Sequence, residues 1–265
     1  LPIGINSKVP KKPISVAVSL IDKIDTLVGF FGINEKPSSS KDPFALRRTA
    51  IGLLRIIIEN KLSIQLKDLI NYSMVIYEEQ NVKFVNTSVA KEILFFLKER
   101  FKNILRDKKI RNDIIEAVEG SHTSHDFLVL YKKCLIINKN ISRDIYKNII
   151  GTYKRASNII DQELKGKKER ITGQPESFLF KKDEEKHLFN KINEIRKYFS
   201  NSKRHESYEE TLKILAGAKP TTDNFFDNVI VNDENSDIKK NRLELLQMFC
   251  KTYNNFIDFS KVEGA

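Results

Sequence analysis

Apolar residues recur every three or four positions along most of this chain, the spacing of one face of an α-helix. The pattern is clear over 14–31 and resumes after Asp42-Pro43, where a capping carboxylate precedes a proline suited to a first helical position. We see no convincing period-two alternation of the kind that strands show. Further helices are predicted at 64–80, 86–107, 110–119, 124–137, 142–163, 182–200, 205–217, 222–231 and 238–259. The pattern predicts an all-α fold built as a helical bundle.

Polar segments separate these helices and suggest how the chain is organised. KGKKERITGQPES at 165–177 predicts a charged loop, and NDENSD at 232–237 predicts an acidic turn. Gly120 ends a helix against the polar SHTSHD, so we place the domain boundary there, giving domains 1–120 and 121–265. Position 1 is Leu rather than Met, and we read the chain as a piece of a longer protein.

Composition narrows the class of protein. No apolar run approaches the roughly 20 residues that span a bilayer, so we predict a soluble protein with no membrane partner. The two cysteines, Cys134 and Cys250, lie in apolar helical patterns without the spacing of a zinc or redox site. We expect both to be buried thiols in a reducing cytoplasm.

The net charge of +11 comes from 46 Lys+Arg against 35 Asp+Glu, and it is unevenly placed. Residues 132–170 hold eleven basic and four acidic side chains, whereas 171–237 hold ten and thirteen. Basic character of this kind favours a polyanionic partner such as nucleic acid. The excess of basic residues is thus confined mainly to 132–170, and much of it falls on one predicted helix.

On the helix after Ser142, Arg143, Lys147, Lys154 and Asn158 fall within about 60° of one another at 100° per residue. A second row aligns in the same way if its helix continues unbroken; it comprises Lys98, Lys102, Arg106 and Lys109. Each row has two interpretations, a nucleic-acid contact or a solvated helix face.

The sequence contains few motifs that are typical of catalytic sites. The chain has no GxxxxGK[ST], GxGxxG, HExxH or GxSxG pattern. His125-Asp126 is a His-Asp doublet like those of HD-type phosphohydrolases, but Asp126 is better placed at a helix start, where its charge suits the helix dipole. Asp22 and Asp25 resemble the last metal ligand of such a domain, yet an isolated Asp cannot hold a catalytic metal. We predict no catalytic residue and no metal site.

The stretch LIDKIDTLVGFFGINEKPSSSKDPFALRRTAIGLLRIIIEN (20–60) resembles the β subunit of the bacterial two-subunit glycyl-tRNA synthetase. It departs from the family pattern at Ile21, where Ala is usual, and at Asn34 and Ser39, where Gly is usual. The resemblance sharpens again at YKRASNII (153–160) and FFDNVIVNDENSDIKKNRLELLQMF (225–249). These two blocks also look like the DALR-type anticodon-binding helical bundle.

The resemblance implies the C-terminal portion of that subunit: the end of an HD-like helical domain, then a DALR-like anticodon-binding helical domain. It implies a role in glycine–tRNA ligation, with ATP and Mg used by the class II active site of the α subunit and no cofactor on this chain. The implied partners are glycine tRNA and the α subunit, in an α2β2 heterotetramer in the cytoplasm.

A tRNA-binding surface needs Lys or Arg for phosphates and planar or amide side chains for bases. The candidate tRNA-binding residues are Arg143, Lys147, Lys154, Arg155, Asn158, Lys239, Lys240, Asn241 and Arg242. Arg155 and Arg242 can equally bridge helices, and Tyr153 can be a core aromatic or a stacking platform.

Other side chains are expected to be structural. We expect Arg47 and Arg48 to pair with carboxylates of neighbouring helices, with Asp22 and Asp25 as the candidates. We expect Phe225 and Phe226 to fill the core of the C-terminal bundle. Two alternative functions remain. A general helical RNA-binding or regulatory module would bind many RNAs with a steep salt dependence. An HD-type phosphohydrolase fragment would need histidine ligands that this chain lacks.

Overall fold

A computed structural model describes residue 2 and residues 7–120, 125–141, 143–165, 171–201 and 207–263. These residues contain helices and no strand, so the predicted all-α fold is confirmed over the described ranges. Within them, no helix combines the length and apolar character needed to cross a bilayer. The chain divides into two compact units: residues 1–110 with 123–134, and residues 111–122 with 135–265. The domain division placed at Gly120 stays a prediction.

The described residues of unit 1 form five helical segments. They are α1 (Pro13–Gly32), α2 (Leu46–Glu59), α3 (Leu66–Glu79), α4 (Val89–Asp107) and the first part of a helix that runs over Phe127–Asn140. Unit 2 begins with α5 (Asn112–Gly120) and resumes at Leu135, within the helix Phe127–Asn140, which is α6. Its other helices are α7 (Asp144–Leu164), α8 (Asp183–Asn201), α9 (Tyr208–Ala216), α10 (Lys219–Asn228) and α11 (Ser236–Asn254). Short 3₁₀ helices occur at Ser177–Leu179 and Phe259–Lys261.

The core of unit 1 lies where α1 packs on α2, α3 and α4, and where α2 packs on α4. Leu27, Leu53 and Phe101 are completely or almost completely buried there. These positions belong to the apolar stripes that the helical spacing predicts. Removing such surface from water contributes roughly 25 cal/mol per Å² and holds the helices together.

Two glycines near the end of α1 are required by close packing. A Cβ at Gly32 would come within 2.2 Å of the Phe84 ring, and one at Gly29 within 2.7 Å of the Tyr77 hydroxyl. The two rings also contact each other, with centroids 5.3 Å apart. The missing side chains therefore let the end of α3 and the segment after it lie directly against α1.

The start of α2 differs from the prediction. The helix was predicted to begin at Pro43, but it begins at Leu46 after a turn in which Ala45 has a left-handed φ of 55°. Asp42 nevertheless caps it, because its carboxylate accepts the backbone N–H groups of Leu46 at 2.8 Å and Arg47 at 3.0 Å. The capping residue was identified correctly, and the intervening turn was missed.

The core of unit 2 is an aromatic cluster between α7 and α11. Tyr253 lies at its centre, with ring centroids 4.2 Å from Phe249 and 5.9 Å from Phe259. Its hydroxyl donates to the Leu215 carbonyl oxygen at 2.7 Å, so the polar end of this buried ring is satisfied. Phe225 is fully buried, as predicted.

The boundaries of α10 and α11 in unit 2 also differ from the prediction. The helix predicted at 222–231 is α10, which begins three residues earlier, with a proline in its first turn where no backbone N–H is needed. The helix predicted at 238–259 is α11, which begins at Ser236 and ends at Asn254. Asn235 caps its start by accepting the N–H groups of Asp237 and Ile238 at 2.9 and 3.2 Å.

Both cysteines are buried, as predicted. Cys134 is 1% exposed and Cys250 is 5% exposed. Neither forms a disulfide. Burial raises the pKa of the Cys250 thiol to about 12, with a smaller contribution from the charge of Asp161.

Candidate nucleic-acid interface

Helix α7 provides the framework of the predicted interface. Its buried face carries Tyr146, Ile149, Tyr153 and Ile160 at spacings of three, four and seven residues, so this side packs inward against α9, α10 and α11. Most of the charged and amide residues of the helix, among them Lys147, Asn148 and Asn158, are exposed on the other side. Tyr153 is only 3% exposed, and burial raises its pKa well above the ordinary tyrosine value. It is a core aromatic and not an exposed stacking platform.

The outer side of α7 carries the predicted row. Lys147 and Asn158 are exposed on this side and Lys154 is half-buried, while Arg143 is exposed just before the helix, as its N-cap residue in extended conformation. The Lys147 ammonium lies 3.9 Å from the carboxylate of Asp144, which is itself 96% exposed. An ion pair this open to solvent contributes little, so the lysine stays available to an anionic partner. We call these four residues the α7 row.

Arg155 lies beside the row and contacts α10. Its guanidinium is 4.4 Å from the centroid of the Phe226 ring and 3.8 Å from a carboxylate oxygen of Asp227. The side chain is still 50% exposed. The predicted bridge between helices is therefore present, and the planar cation also faces solvent. Phe226 is half-buried beneath it, so the prediction that this ring fills the core is only partly met.

Lys239 and Lys240 lie at the start of α11 with different surroundings. The Lys239 ammonium pairs with the Glu163 carboxylate of α7 at 2.9 Å, in a site where both side chains are about three-quarters buried. Lys240 is exposed. Both line a cavity of about 670 Å³ that also borders Gly173 and Glu244. Because Lys239 is paired with Glu163, it is less able to bind an anion. Lys240 remains accessible.

Asn241 and Arg242 point into the protein. Asn241 is 2% exposed, and its side chain exchanges two hydrogen bonds with the backbone of Glu176, at 2.7 and 3.1 Å. Arg242 is 4% exposed and pairs with Glu185 at 2.9 Å and with Asp233 at 2.6 Å. Its guanidinium also donates to the Ile230 carbonyl at 2.8 Å. These contacts make Arg242 the bridge between helices that was one of its two interpretations.

The second basic row, in unit 1, is shorter than predicted. Lys109 belonged to the row only on condition that the helix predicted at 86–107 continued further, but α4 ends at Asp107 and Lys109 has a left-handed φ of 58°. Lys109 therefore leaves the row. Lys102 is also engaged, since its ammonium pairs with Glu99 at 2.9 Å. Lys98 is half-buried and Arg106 is exposed on the same helix.

The His-Asp doublet has a structural role at Asp126. This residue is 2% exposed, and one carboxylate oxygen accepts the N–H groups of Leu128 at 3.0 Å and Val129 at 3.1 Å. The other oxygen bonds the Ser63 hydroxyl. Asp126 is the N-cap of α6, at the helix start where it was predicted. Across the described part of the chain, no group of three or more His, Cys, Asp or Glu side chains is arranged to hold a metal.

The predicted pairing of Arg47 and Arg48 with Asp22 and Asp25 is wrong. The Arg47 guanidinium donates to the carbonyl oxygens of Ser38 and Ser39 in the loop before α2. Asp22 instead lies 3.6 Å from the ammonium of its neighbour Lys23. The loop before α2 folds back far enough to satisfy Arg47 locally, which residue spacing along the helices does not reveal.

Two family models match this chain, one in its N-terminal part and one in its C-terminal part. Residues 1–120 match the family described as glycyl-tRNA synthetase beta subunit, and residues 149–263 match the DALR anticodon binding domain. The second match includes most of α7 and all of α11.

Whole-chain comparison finds curated relatives named glycine–tRNA ligase beta subunit. The chain is 34% identical to the one from Rhodospirillum centenum over 99% of its own length and 36% of the relative. It is 35% identical to the one from Rickettsia canadensis over 98% of its own length and 37% of the relative. It thus spans little more than a third of the proteins that it matches. The chain belongs to the glycyl-tRNA synthetase β-subunit family.

Proposed function

We propose that this chain is the part of a glycine–tRNA ligase β subunit that binds the anticodon arm of glycine tRNA. The observation that carries the proposal is the α7 row: Lys147, Lys154 and Asn158 lie exposed or half-buried on one side of a helix that runs into the DALR match, and exposed Arg143 lies just before its first residue. Closely spaced phosphates suit such a row, and an amide such as Asn158 can bond a base edge.

Within the proposed complex, this chain supplies binding and another subunit supplies chemistry. The relatives are named as a beta subunit, which supports a partner α subunit. We place the ATP- and Mg-dependent ligation on that subunit, in an α2β2 assembly in the cytoplasm. Arg155 and Lys240 extend the proposed surface beyond the α7 row. Asn241 and Arg242 support it from within by fixing the start of α11.

The first test is tRNA binding by this chain near physiological salt. We expect glycine tRNA to bind at least tenfold tighter than an unrelated tRNA, about 1.4 kcal/mol, and the preference to disappear when its anticodon is changed. Equal binding of all three RNAs would favour the general RNA-binding alternative and would exclude anticodon recognition by this chain.

A second experiment tests whether α7 forms the tRNA-binding surface. The double variant Lys147→Glu/Lys154→Glu should weaken binding to glycine tRNA by roughly tenfold or more, and should flatten the salt dependence by roughly one unit of slope per lost phosphate contact. The matched control is Lys186→Glu/Lys213→Glu, which makes the same charge change at exposed positions on α8 and α9. Equal losses in both variants would mean that only net charge matters and would remove α7 from the interface.

A further inference from the structure

Gly151 lies in the interior of α7, where glycine is unfavourable. A glycine in a helix loses more conformational freedom on folding than alanine and gives no side chain in return. A Cβ placed at Gly151 would meet no atom within 4 Å, so no neighbouring element requires the side chain to be absent. Its φ does not lie in the left-handed range that favours glycine.

Three other helical glycines of this chain, Gly29, Gly32 and Gly52, lie close against neighbouring side chains. At Gly29 and Gly32 an added Cβ would come within 2.7 Å of Tyr77 and 2.2 Å of Phe84. At Gly52 it would come within 3.0 Å of Lys23. Packing inside the protein therefore accounts for those three residues, and it does not account for Gly151.

The side chains around Gly151 all carry hydrogen-bond donors. Residues three and four positions away on a helix are its surface neighbours. At Gly151 these are Lys147, Asn148, Lys154 and Arg155, three cations and an amide. Lys147, Asn148 and Arg155 are exposed, and Lys154 is half-buried. The helix backbone is thus uncovered at a point surrounded by hydrogen-bond donors.

Two carboxylates lie near the four side chains around Gly151, but neither covers this part of the helix. Asp144 lies two turns before Gly151 on nearly the same side of α7 and is 96% exposed, so solvent screens it. Asp227, on α10, lies 3.8 Å from Arg155 with 69% of its side chain exposed. Neither lies among the four surface neighbours.

We propose that Gly151 is the point where a backbone phosphate or ribose of the bound tRNA lies against α7. The absent side chain lets the sugar-phosphate chain approach the helix backbone closely enough for Lys147, Lys154 and Arg155 to donate to phosphate oxygens from both sides. The Asn148 amide donates to a phosphate or ribose oxygen. This inference rests on the proposed tRNA binding and adds a contact that depends on shape, not on charge.

The test uses Gly151→Ala and Gly151→Gln, which add volume without changing charge. Because the position is open and helical, both variants should have a Tm equal to or above that of the parent. Binding to glycine tRNA should weaken a few-fold for the alanine variant and at least tenfold for the glutamine variant. The plot of log Kd against log salt should keep the parent slope, because no cation is lost.

The control is Gly217→Gln at the end of α9, an exposed glycine in right-handed conformation whose added Cβ would have no contact closer than 3.4 Å. It should leave tRNA affinity within twofold of the parent. If Gly151→Gln also binds within twofold, or if it lowers Tm, the close approach is refuted.

The outcomes separate this inference from the function on which it rests. If Lys147→Glu/Lys154→Glu loses affinity while Gly151→Gln does not, the proposed function stands and the close approach fails. If the parent chain itself does not bind glycine tRNA, both fail. If Gly151→Gln loses affinity for polyglutamate but not for tRNA, the patch recognises an acidic protein surface and the inference is overturned.

Discussion

The Tyr146 hydroxyl is buried on the inner face of α7, and among the described residues it has no hydrogen-bond partner. Burial raises the pKa of this phenol well above its ordinary value. A buried polar group without a partner costs about 1–3 kcal/mol relative to one that remains hydrated or bonded. The buried ring of Tyr146 stabilises the fold through packing, whereas its unbonded hydroxyl destabilises it.

We therefore expect Tyr146→Phe to raise the free energy of unfolding by about 1 kcal/mol, because it removes the unsatisfied oxygen and keeps the ring. Urea denaturation measures this directly. The matched control is Tyr253→Phe, which removes a hydroxyl that donates at 2.7 Å to the Leu215 carbonyl and should lower stability. A loss of stability in Tyr146→Phe comparable to that of the control would show that its hydroxyl is bonded after all.

The residues of the KKNR run (239–242) differ in exposure although their types are alike: Lys240 is exposed, whereas Asn241 and Arg242 are buried. Four polar residues follow one another, and chemistry alone makes each a candidate for RNA contact. The helix period separates them: at 100° per residue, Arg242 falls among the directions of Leu246 and Phe249, which are fully buried. The position of Arg242 could therefore have been predicted. The stacking of Arg155 on Phe226 could not, because α7 and α10 are far apart in sequence.

At the scale of elements, helix type was predictable and helix starts were less so. Apolar periodicity located α1, α4 and α7 to within a few residues, because a buried stripe requires a regular spacing. The start of α2 was missed because Asp42 caps the helix from four residues away, through a left-handed turn at Ala45. Periodicity does not report a cap that acts at that distance.

The charged contact that joins α8, α11 and the segment between α10 and α11 is centred on Arg242. Glu185 is fully buried, and besides pairing with Arg242 it accepts the backbone N–H groups of Lys181 and Lys182, each at 2.8 Å. The carboxylate thus both caps α8 and neutralises the arginine. Removing one member of a buried pair leaves the other charged without compensation.

We expect Arg242→Met to lower the free energy of unfolding by about 3–5 kcal/mol, because Glu185 would remain buried and unpaired. Arg155→Met, which breaks the exposed pair with Asp227 and the contact with Phe226, should lower it by less than about 1 kcal/mol. Chemical denaturation of both variants provides the comparison. In a double-mutant cycle, Glu185→Gln should cost less in the Arg242→Met background than in the parent. Similar costs in the two backgrounds would refute the coupling.

At the scale of the whole molecule, unit 2 is closed by contacts between residues near its beginning and its end. The Asp113 carboxylate pairs with the Arg111 guanidinium at 2.6 Å and accepts the backbone N–H of Glu263 at 2.8 Å. Burial tends to raise the pKa of Asp113, but the bonds from Arg111 and Glu263 outweigh it, so the pKa lies below its ordinary value.

This lowered pKa predicts the direction of an acid effect. A carboxyl group with a lower pKa in the folded state stabilises the fold above its unfolded pKa, near 4, and loses that contribution as pH falls through the folded value. Urea midpoints measured from pH 7 to pH 3 should therefore fall more steeply for the parent than for Asp113→Asn. Parallel pH profiles would mean that the Asp113 contacts do not distinguish the folded from the unfolded state.

The two buried thiols make the proposed tRNA complex accessible to site-specific labelling. Cys134 and Cys250 are inaccessible, and the raised pKa of Cys250 keeps its sulfur protonated at neutral pH. A cysteine introduced at exposed Asn158 would therefore react with a maleimide probe or a photocrosslinker far faster than either native residue. The native sequence can thus serve unmodified as the background for site-specific labelling, and crosslinks from this position would identify the nucleotides that lie along α7.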